Sequence, residues 1–154
     1  MDKEQILKIA AANETPFYLY DLQDIRTRAA QVKAALPEFH LLYSIKANPH
    51  PAIVRCLVNM GAGFDAASVN EVRLALRRGS KPENVFYSAP GKTMRDLDAA
   101  AGNCEIIADS INELERLNSL AGTMKRRIRA GVRLNIRNPI ITQSMHEIMG
   151  GERE

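Results

Sequence analysis

The run His40-Leu41-Leu42-Tyr43-Ser44-Ile45-Lys46-Ala47-Asn48-Pro49 sets an apolar, β-prone segment in front of a single lysine. No acidic residue lies within it to pair that ammonium. A buried unpaired charge is costly, so Lys46 must reach water, find a partner distant in sequence or lose its charge. A lysine in a desolvated pocket loses its charge by condensing with an aldehyde. For this segment read alone, the ordinary alternative is a solvent-facing lysine that merely closes a strand.

Strand and helix signals alternate on both sides of the run. Phe17-Tyr18-Leu19-Tyr20 reads as a short strand after Pro16. Asp21 stands at an N-cap position, Leu22, Ile25, Ala29, Val32 and Leu36 follow at helical spacing, and Pro37 closes the element. Beyond the lysine, Pro49 and Pro51 lead into a helix carrying Ile53, Val54, Leu57 and Val58. Gly63-Phe64-Asp65-Ala66-Ala67 predicts the next strand, and Ser68-Val69-Asn70-Glu71 has the Ser-x-x-Glu form of a capping box. Val85-Phe86-Tyr87-Ser88 predicts a third strand, with Thr93 capping a helix through Leu97 and Ala100. Glu105-Ile106-Ile107-Ala108 predicts a fourth, followed by a second box, Ser110-Ile111-Asn112-Glu113, and the stretch from Arg129 to Ile136 predicts a fifth.

Strand midpoints near residues 45, 65, 87, 107 and 134 lie about twenty residues apart, with a wider last gap. That is the period of a βα unit, and units in series imply a parallel sheet with right-handed crossovers. An open doubly wound sheet and a barrel both satisfy it. In either, strand ends and the loops after them gather on one face, here with Lys46, Asp65 and Pro90-Gly91-Lys92, and that face carries the chemistry.

Composition excludes several classes. The 154 residues, 45% of them hydrophobic, suffice for one domain with a core. Cys56 and Cys104 give neither metal spacing nor a disulfide framework, which fits a reducing cytoplasm. The segment Met1 to Ala12 is charged and amphipathic rather than a signal peptide, and no apolar run reaches membrane-spanning length. With a net charge of +3, the cluster Lys125, Arg126, Arg127 and Arg129 reads as a solvated connector rather than a nucleic-acid surface. Gly61-Ala62-Gly63-Phe64-Asp65-Ala66 matches a dinucleotide fingerprint in letters, but it leaves a helix and enters a strand, the reverse of what that motif needs. Gly91-Lys92-Thr93 lacks the leading glycine of a phosphate loop, whose place is taken by Phe86. His40, His50 and His146 read as solvated or structural, not as ligands.

With these positions in hand, the chain resembles the N-terminal part of the fold-type III decarboxylases that depend on pyridoxal 5′-phosphate (PLP), the diaminopimelate, ornithine and arginine decarboxylases. The segments that carry the resemblance are Thr15 to Asp21, Tyr43 to Pro49, Gly63 to Glu71, Val85 to Lys92, Asp109-Ser110 with Glu113-Leu114, and Val132 to Asn135. They occur in the family's order and spacing.

The resemblance implies an α/β fold: part of a TIM-like (β/α)8 barrel of the alanine racemase and group IV decarboxylase type. It implies that Lys46 bonds the PLP aldehyde, that Asp65 is the acidic residue beside the cofactor, and that Arg133 lies near the lysine and the cofactor edge. Glu71 matches an acidic position on the following helix, where capping is a sufficient role. The implied activity is decarboxylation of an amino acid of diaminopimelate or ornithine type, by a cytoplasmic homodimer when full length, with no membrane or nucleic-acid partner. A PLP racemase, a PLP-carrier barrel and a non-catalytic decarboxylase-like regulator are the alternatives; Tyr43-Ser44-Ile45-Lys46-Ala47-Asn48-Pro49 with Phe64-Asp65-Ala66-Ala67-Ser68 favours the decarboxylase branch.

Residues 1–154 thus read as about five βα units of the barrel domain. The family's remaining parts, a histidine on the cofactor ring, a glycine-rich phosphate loop, a glutamate on the pyridine nitrogen and a C-terminal β-domain, match no segment here. The expectation is a fragment, with weak PLP binding and no turnover by itself.

Overall fold

The computed structural model describes residues 1–134, and within them the capped amphipathic stretches and short β-prone runs become distinct elements. Two helices come first, α1 (Lys3–Ala12) and α2 (Leu22–Ala35). They are followed by β1 (Leu42–Ser44), a 3-10 turn (Ile45–Ala47), α3 (Pro51–Asn59), β2 (Gly63–Ala66) and α4 (Val69–Arg77). The series continues with β3 (Val85–Tyr87), α5 (Met94–Ala100), β4 (Glu105–Ala108), α6 (Ile111–Met124) and β5 (Ala130–Val132).

Capping places the helix starts. The Asp21 carboxylate accepts the Gln23 N–H, and Ser68 and Ser110 accept the N–H groups of Glu71 and Glu113. The two boxes predicted from sequence are only half formed. Each glutamate passes its cap residue and takes the amide one position earlier, of Ala67 at 2.8 Å and of Asp109 at 3.1 Å. Thr93 and Asp96 make the full reciprocal box. At the other helix ends, orphan carbonyls take cations from a neighbouring element. Lys33 donates to the Met60 carbonyl at 2.8 Å, Arg55 to that of Arg78 at 2.7 Å, and Arg126 to that of Ala101 at 2.8 Å. Arg126 therefore closes a helix, where the sequence suggested a wholly solvated cluster.

The five strands are parallel and lie in the order β1-β2-β3-β4-β5. A doubly wound sheet reverses its order at a switch point, whereas a barrel winds on in one direction. The sequential order thus decides the question that periodicity left open: this is part of a barrel. Backbone bonds continue past the strand limits, from the Ser88 N–H to the Ala66 carbonyl and from the Arg133 N–H to the Ala108 carbonyl. At the opposite end of the sheet, a Cβ on Gly63 would meet the side-chain ends of Leu42 at 2.5 Å and His40 at 2.7 Å and the Asn84 carbonyl at 3.0 Å, so any larger residue there makes these neighbours shift.

Alternation divides the sheet into two faces. Phe64, Ala66, Val85, Tyr87, Ile106 and Ala108 lie buried under the helices with Val54, Val72 and Leu97. The Phe64 ring meets Tyr43 edge-on at 6.4 Å. Residues between these positions, among them Ser44, Asp65 and Phe86, point to the opposite face and are half-buried. β1 and β5 are the outer strands of the described sheet, and beside β1 an apolar groove of about 260 Å³ runs between Ile25, Ala29, Val32 and Leu42.

Two expectations fail. Phe17-Tyr18-Leu19-Tyr20 forms no strand, and Tyr18 is 90% exposed. Its aromatic residues favour extended backbone, but no described strand lies beside it to complete a ladder. Lys46 is not in β1 either; it sits in the 3-10 turn two residues beyond the strand. The fifth strand is described only as Ala130–Val132, and the remainder of its predicted span from residue 135, with His146, lies outside the described residues. No helix among the described residues is long and apolar enough to cross a membrane.

Candidate active site at the strand ends

Each of the five strands delivers a polar residue to the same end of the sheet, on the face not covered by helices. Ser44 ends β1 and stands opposite Asp65 in the register of β2. Ser88, Asp109 and Arg133 each follow directly the last residue of β3, β4 and β5. The period of two puts all five on one face, because their strand neighbours Phe64, Tyr87, Ala108 and Val132 point to the other.

They form one continuous chain. Ser44 Oγ donates to Asp65 Oδ2 at 3.1 Å, and Ser88 Oγ donates to Asp65 Oδ1. Two hydroxyls from adjacent strands thus fix the carboxylate in orientation. The Ser88 carbonyl in turn accepts from the Arg133 guanidinium, whose Nε stands 2.8 Å from Asp109 Oδ1. That last contact is an ion pair without hydrogen-bond alignment, which leaves Asp109 Oδ1 buried and short of a donor.

Lys46 lies in the turn directly after β1, two residues past Ser44, the first member of this chain. It is exposed and makes no ion pair or hydrogen bond with a described residue. The turn itself is held from both sides. The Tyr43 hydroxyl donates to the Asn48 carbonyl at 3.2 Å, Asn48 Oδ1 accepts the His50 N–H at 3.0 Å, and His50 Nδ1 accepts the Ala52 N–H to cap α3. His50 is therefore structural. Burial, ahead of all other causes, pushes the Tyr43 phenol up and keeps it a hydrogen-bond donor.

Of the residues singled out from sequence, Asp65 and Arg133 meet through a shared partner, Ser88, while Lys46 bonds neither. Glu71 stays away from the chain and takes the Ala67 N–H, a capping role. Ser44, Ser88 and Asp109 were not singled out. The available signal was positional: each is the polar residue that ends or directly follows a β-run.

The other lysine of this face has a different fate. Lys92 Nζ is completely buried, paired with Glu113 Oε2 at 2.8 Å, bonded to the Ala89 carbonyl and 5.6 Å from the centre of the Tyr87 ring. Burial pushes the Glu113 carboxyl up, but the Lys92 ammonium and the N–H groups of Asp109 and Lys92 outweigh it, and the net position is below the usual carboxylate value. Burial raises the Tyr87 phenol to about 12, with Asp96 and Glu113 adding to it, and raises the Cys104 thiol to about 12. Neither serves as a base. Among the described residues no cluster of His, Cys, Asp and Glu could hold a metal ion.

Residues 22–152 match the family model described as "Pyridoxal-dependent decarboxylase, pyridoxal binding domain". The chain is 34% identical over 131 residues to the diaminopimelate decarboxylase of Aquifex aeolicus, an alignment covering 83% of this chain and 31% of that protein. Among solved structures, diaminopimelate decarboxylase from Helicobacter pylori complexed with L-lysine superposes with a TM-score of 0.77 at 28% identity, covering 87% of this chain and 34% of that one. SrLDC in complex with PLP and cadaverine gives a TM-score of 0.77 at 25% identity, covering 92% and 36%. The chain spans about a third of the length of the relatives it matches.

Proposed function

The chain belongs to the pyridoxal-dependent decarboxylases, and from that premise we propose that residues 1–154 are the N-terminal part of a PLP-binding barrel whose full-length protein decarboxylates an amino acid. The observation that carries the reading is an exposed primary amine, Lys46, in the turn after a parallel strand whose last residue, Ser44, belongs to an oriented carboxylate–arginine chain.

The residues present suit the group. Lys46 Nζ is an amine not engaged by a described acid, and so is available to condense with an aldehyde carbon, the aldehyde oxygen leaving as water. Asp65, locked by Ser44 and Ser88, presents a fixed negative charge at the mouth. Arg133, held by Ser88 and Asp109, presents a fixed positive one; the exposed rim of its guanidinium suits an anionic group of cofactor or substrate. When bound, PLP supplies the ring that takes up the electron pair left as the Cα–carboxylate bond breaks. The chain's own contribution is orientation: three strand ends fix the charges before a substrate arrives, so little reorganisation remains at the moment of reaction. Lys46 would hold the aldehyde through Nζ, and the same nitrogen would hold or give up the proton needed there.

The relatives crystallised with L-lysine and cadaverine support a substrate with a second amine, of the diaminopimelate, lysine or ornithine kind. A cytoplasmic homodimer is the assembly that goes with this reading. The test is CO₂ release by the full-length protein from a panel of diamino and neutral amino acids, with and without PLP. Turnover confined to PLP-loaded protein and diamino substrates is expected. Racemisation without CO₂ release would overturn the decarboxylase assignment.

A further inference from the structure

Two segments of this chain share the form strand end–Ser-x-x-Glu, and they use their glutamates differently. On α4, Glu71 is half-buried and its carboxylate takes the single amide of Ala67. On α6, Glu113 is 5% exposed and its carboxylate holds three donors. Oε1 accepts the Lys92 N–H at 3.1 Å, and Oε2 accepts the Asp109 N–H at 3.1 Å and pairs with Lys92 Nζ at 2.8 Å. Lys92 then folds its own loop by donating to the Ala89 carbonyl, across a turn in which Gly91 has φ +64°.

A buried ion pair is a poor way to gain stability, since well-packed apolar residues of similar volume do as well or better. What this pair does gain is position. Every hydrogen bond it makes beyond the pair itself ends on one of two loops, Ser88 to Lys92 after β3 and Asp109-Ser110 after β4. Those loops carry the two groups that hold Arg133, the Ser88 carbonyl and the Asp109 carboxylate. Ser88 also holds Asp65. A shift between the loops therefore moves both charges of the strand-end chain.

We propose that Glu113 and Lys92 are positioning residues for the cofactor site: their buried pair clamps the loop after β3 to the loop after β4, so that Ser88 and Asp109 grip Arg133 from two sides. The inference rests on the reading of Lys46, Asp65 and Arg133 as cofactor residues. Neither Glu113 nor Lys92 touches the reacting atoms; they act through Ser88 and Asp109.

The test compares the full-length wild type with Glu113→Gln in PLP titrations followed by the absorbance of the lysine-bound cofactor, and in amide hydrogen exchange. Both are run where circular dichroism shows the two proteins folded. Glu113→Gln keeps one carbonyl acceptor and loses the charge. It is expected to bind PLP roughly tenfold more weakly, the scale of a small misplacement, with a shifted absorbance maximum and faster exchange at the Asp109 and Lys92 amides. If Glu113→Gln does not fold, Lys92→Met/Glu113→Gln, which leaves no buried charge, takes its place with the same expectation. Wild type that captures PLP at Lys46 while the folded variant matches it in affinity and absorbance overturns this inference alone. Wild type that captures no PLP at Lys46 overturns the functional reading, and the inference with it.

Discussion

Lys46 and Lys92 both follow a parallel strand on the same end of the sheet, two residues beyond β1 and five beyond β3. Lys46 stands exposed with no ion-pair partner among the described residues, while Lys92 has lost all side-chain exposure and is neutralised by Glu113. Local sequence does not separate them: neither lies next to an acid, and each has a proline within three residues. The difference is made by α6, which brings a carboxylate from 21 residues away to Lys92. A lysine held by an acid, a carbonyl and an aromatic ring is part of the scaffold; one left free at the mouth is available for covalent chemistry.

Exchanging the roles of the two lysines is the sharpest way to break this contrast. In the full-length protein, Lys46→Ala should abolish covalent PLP capture and nearly all turnover, while chemical denaturation changes by no more than about 0.5 kcal/mol, as for an exposed side chain. Lys92→Met should act mainly on stability. It strands the Glu113 carboxylate in the interior, at a cost of about 3–5 kcal/mol in urea unfolding, yet any covalent PLP should still map to Lys46. Equal stability losses in the two variants would erase the distinction.

A smaller effect concerns acid. Folding lowers the Glu113 carboxyl below its ordinary 4.5, so its contribution to stability is full above that value and is lost as pH falls through the lower folded-state value. Asp21 and Asp96 are lowered as well, first by the Gln23 N–H and by the Thr93 hydroxyl respectively. Wild type should therefore weaken below about pH 4.5, measured as urea midpoints across pH, and Glu113→Gln should show a shallower decline over the same window. Parallel declines would mean that Glu113 is not the group responsible.

Much of the architecture was legible in the residues because it is local. The Asp21, Ser68, Thr93 and Ser110 caps, the β-runs ending near Ser44, Ala66, Tyr87 and Ala108, and their twenty-residue period become the expected elements. Strand order was not legible, since period alone does not say where the next strand is laid. Phe17 to Tyr20 shows the limit of propensity, which makes a strand only where a ladder partner exists. At the site, Lys46 stood out from its own segment and Asp65 and Arg133 were named through a family resemblance, whereas the bonds linking Asp65 to Arg133 run through Ser88, a residue with no distinction in sequence. The Lys92–Glu113 pair was missed for the same reason. Its members belong to different βα units, and only the packing of α6 against the loop after β3 brings them together.

The central claim, that Lys46 and not Lys92 is the amine of the site, is tested most directly by PLP titration of the full-length protein, borohydride trapping and peptide mapping. The account predicts one pyridoxyl-bearing peptide, the one containing Lys46, with labelling lost in Lys46→Ala and retained in Lys92→Met. Stoichiometric labelling at Lys92, or labelling that persists undiminished in Lys46→Ala, would contradict it.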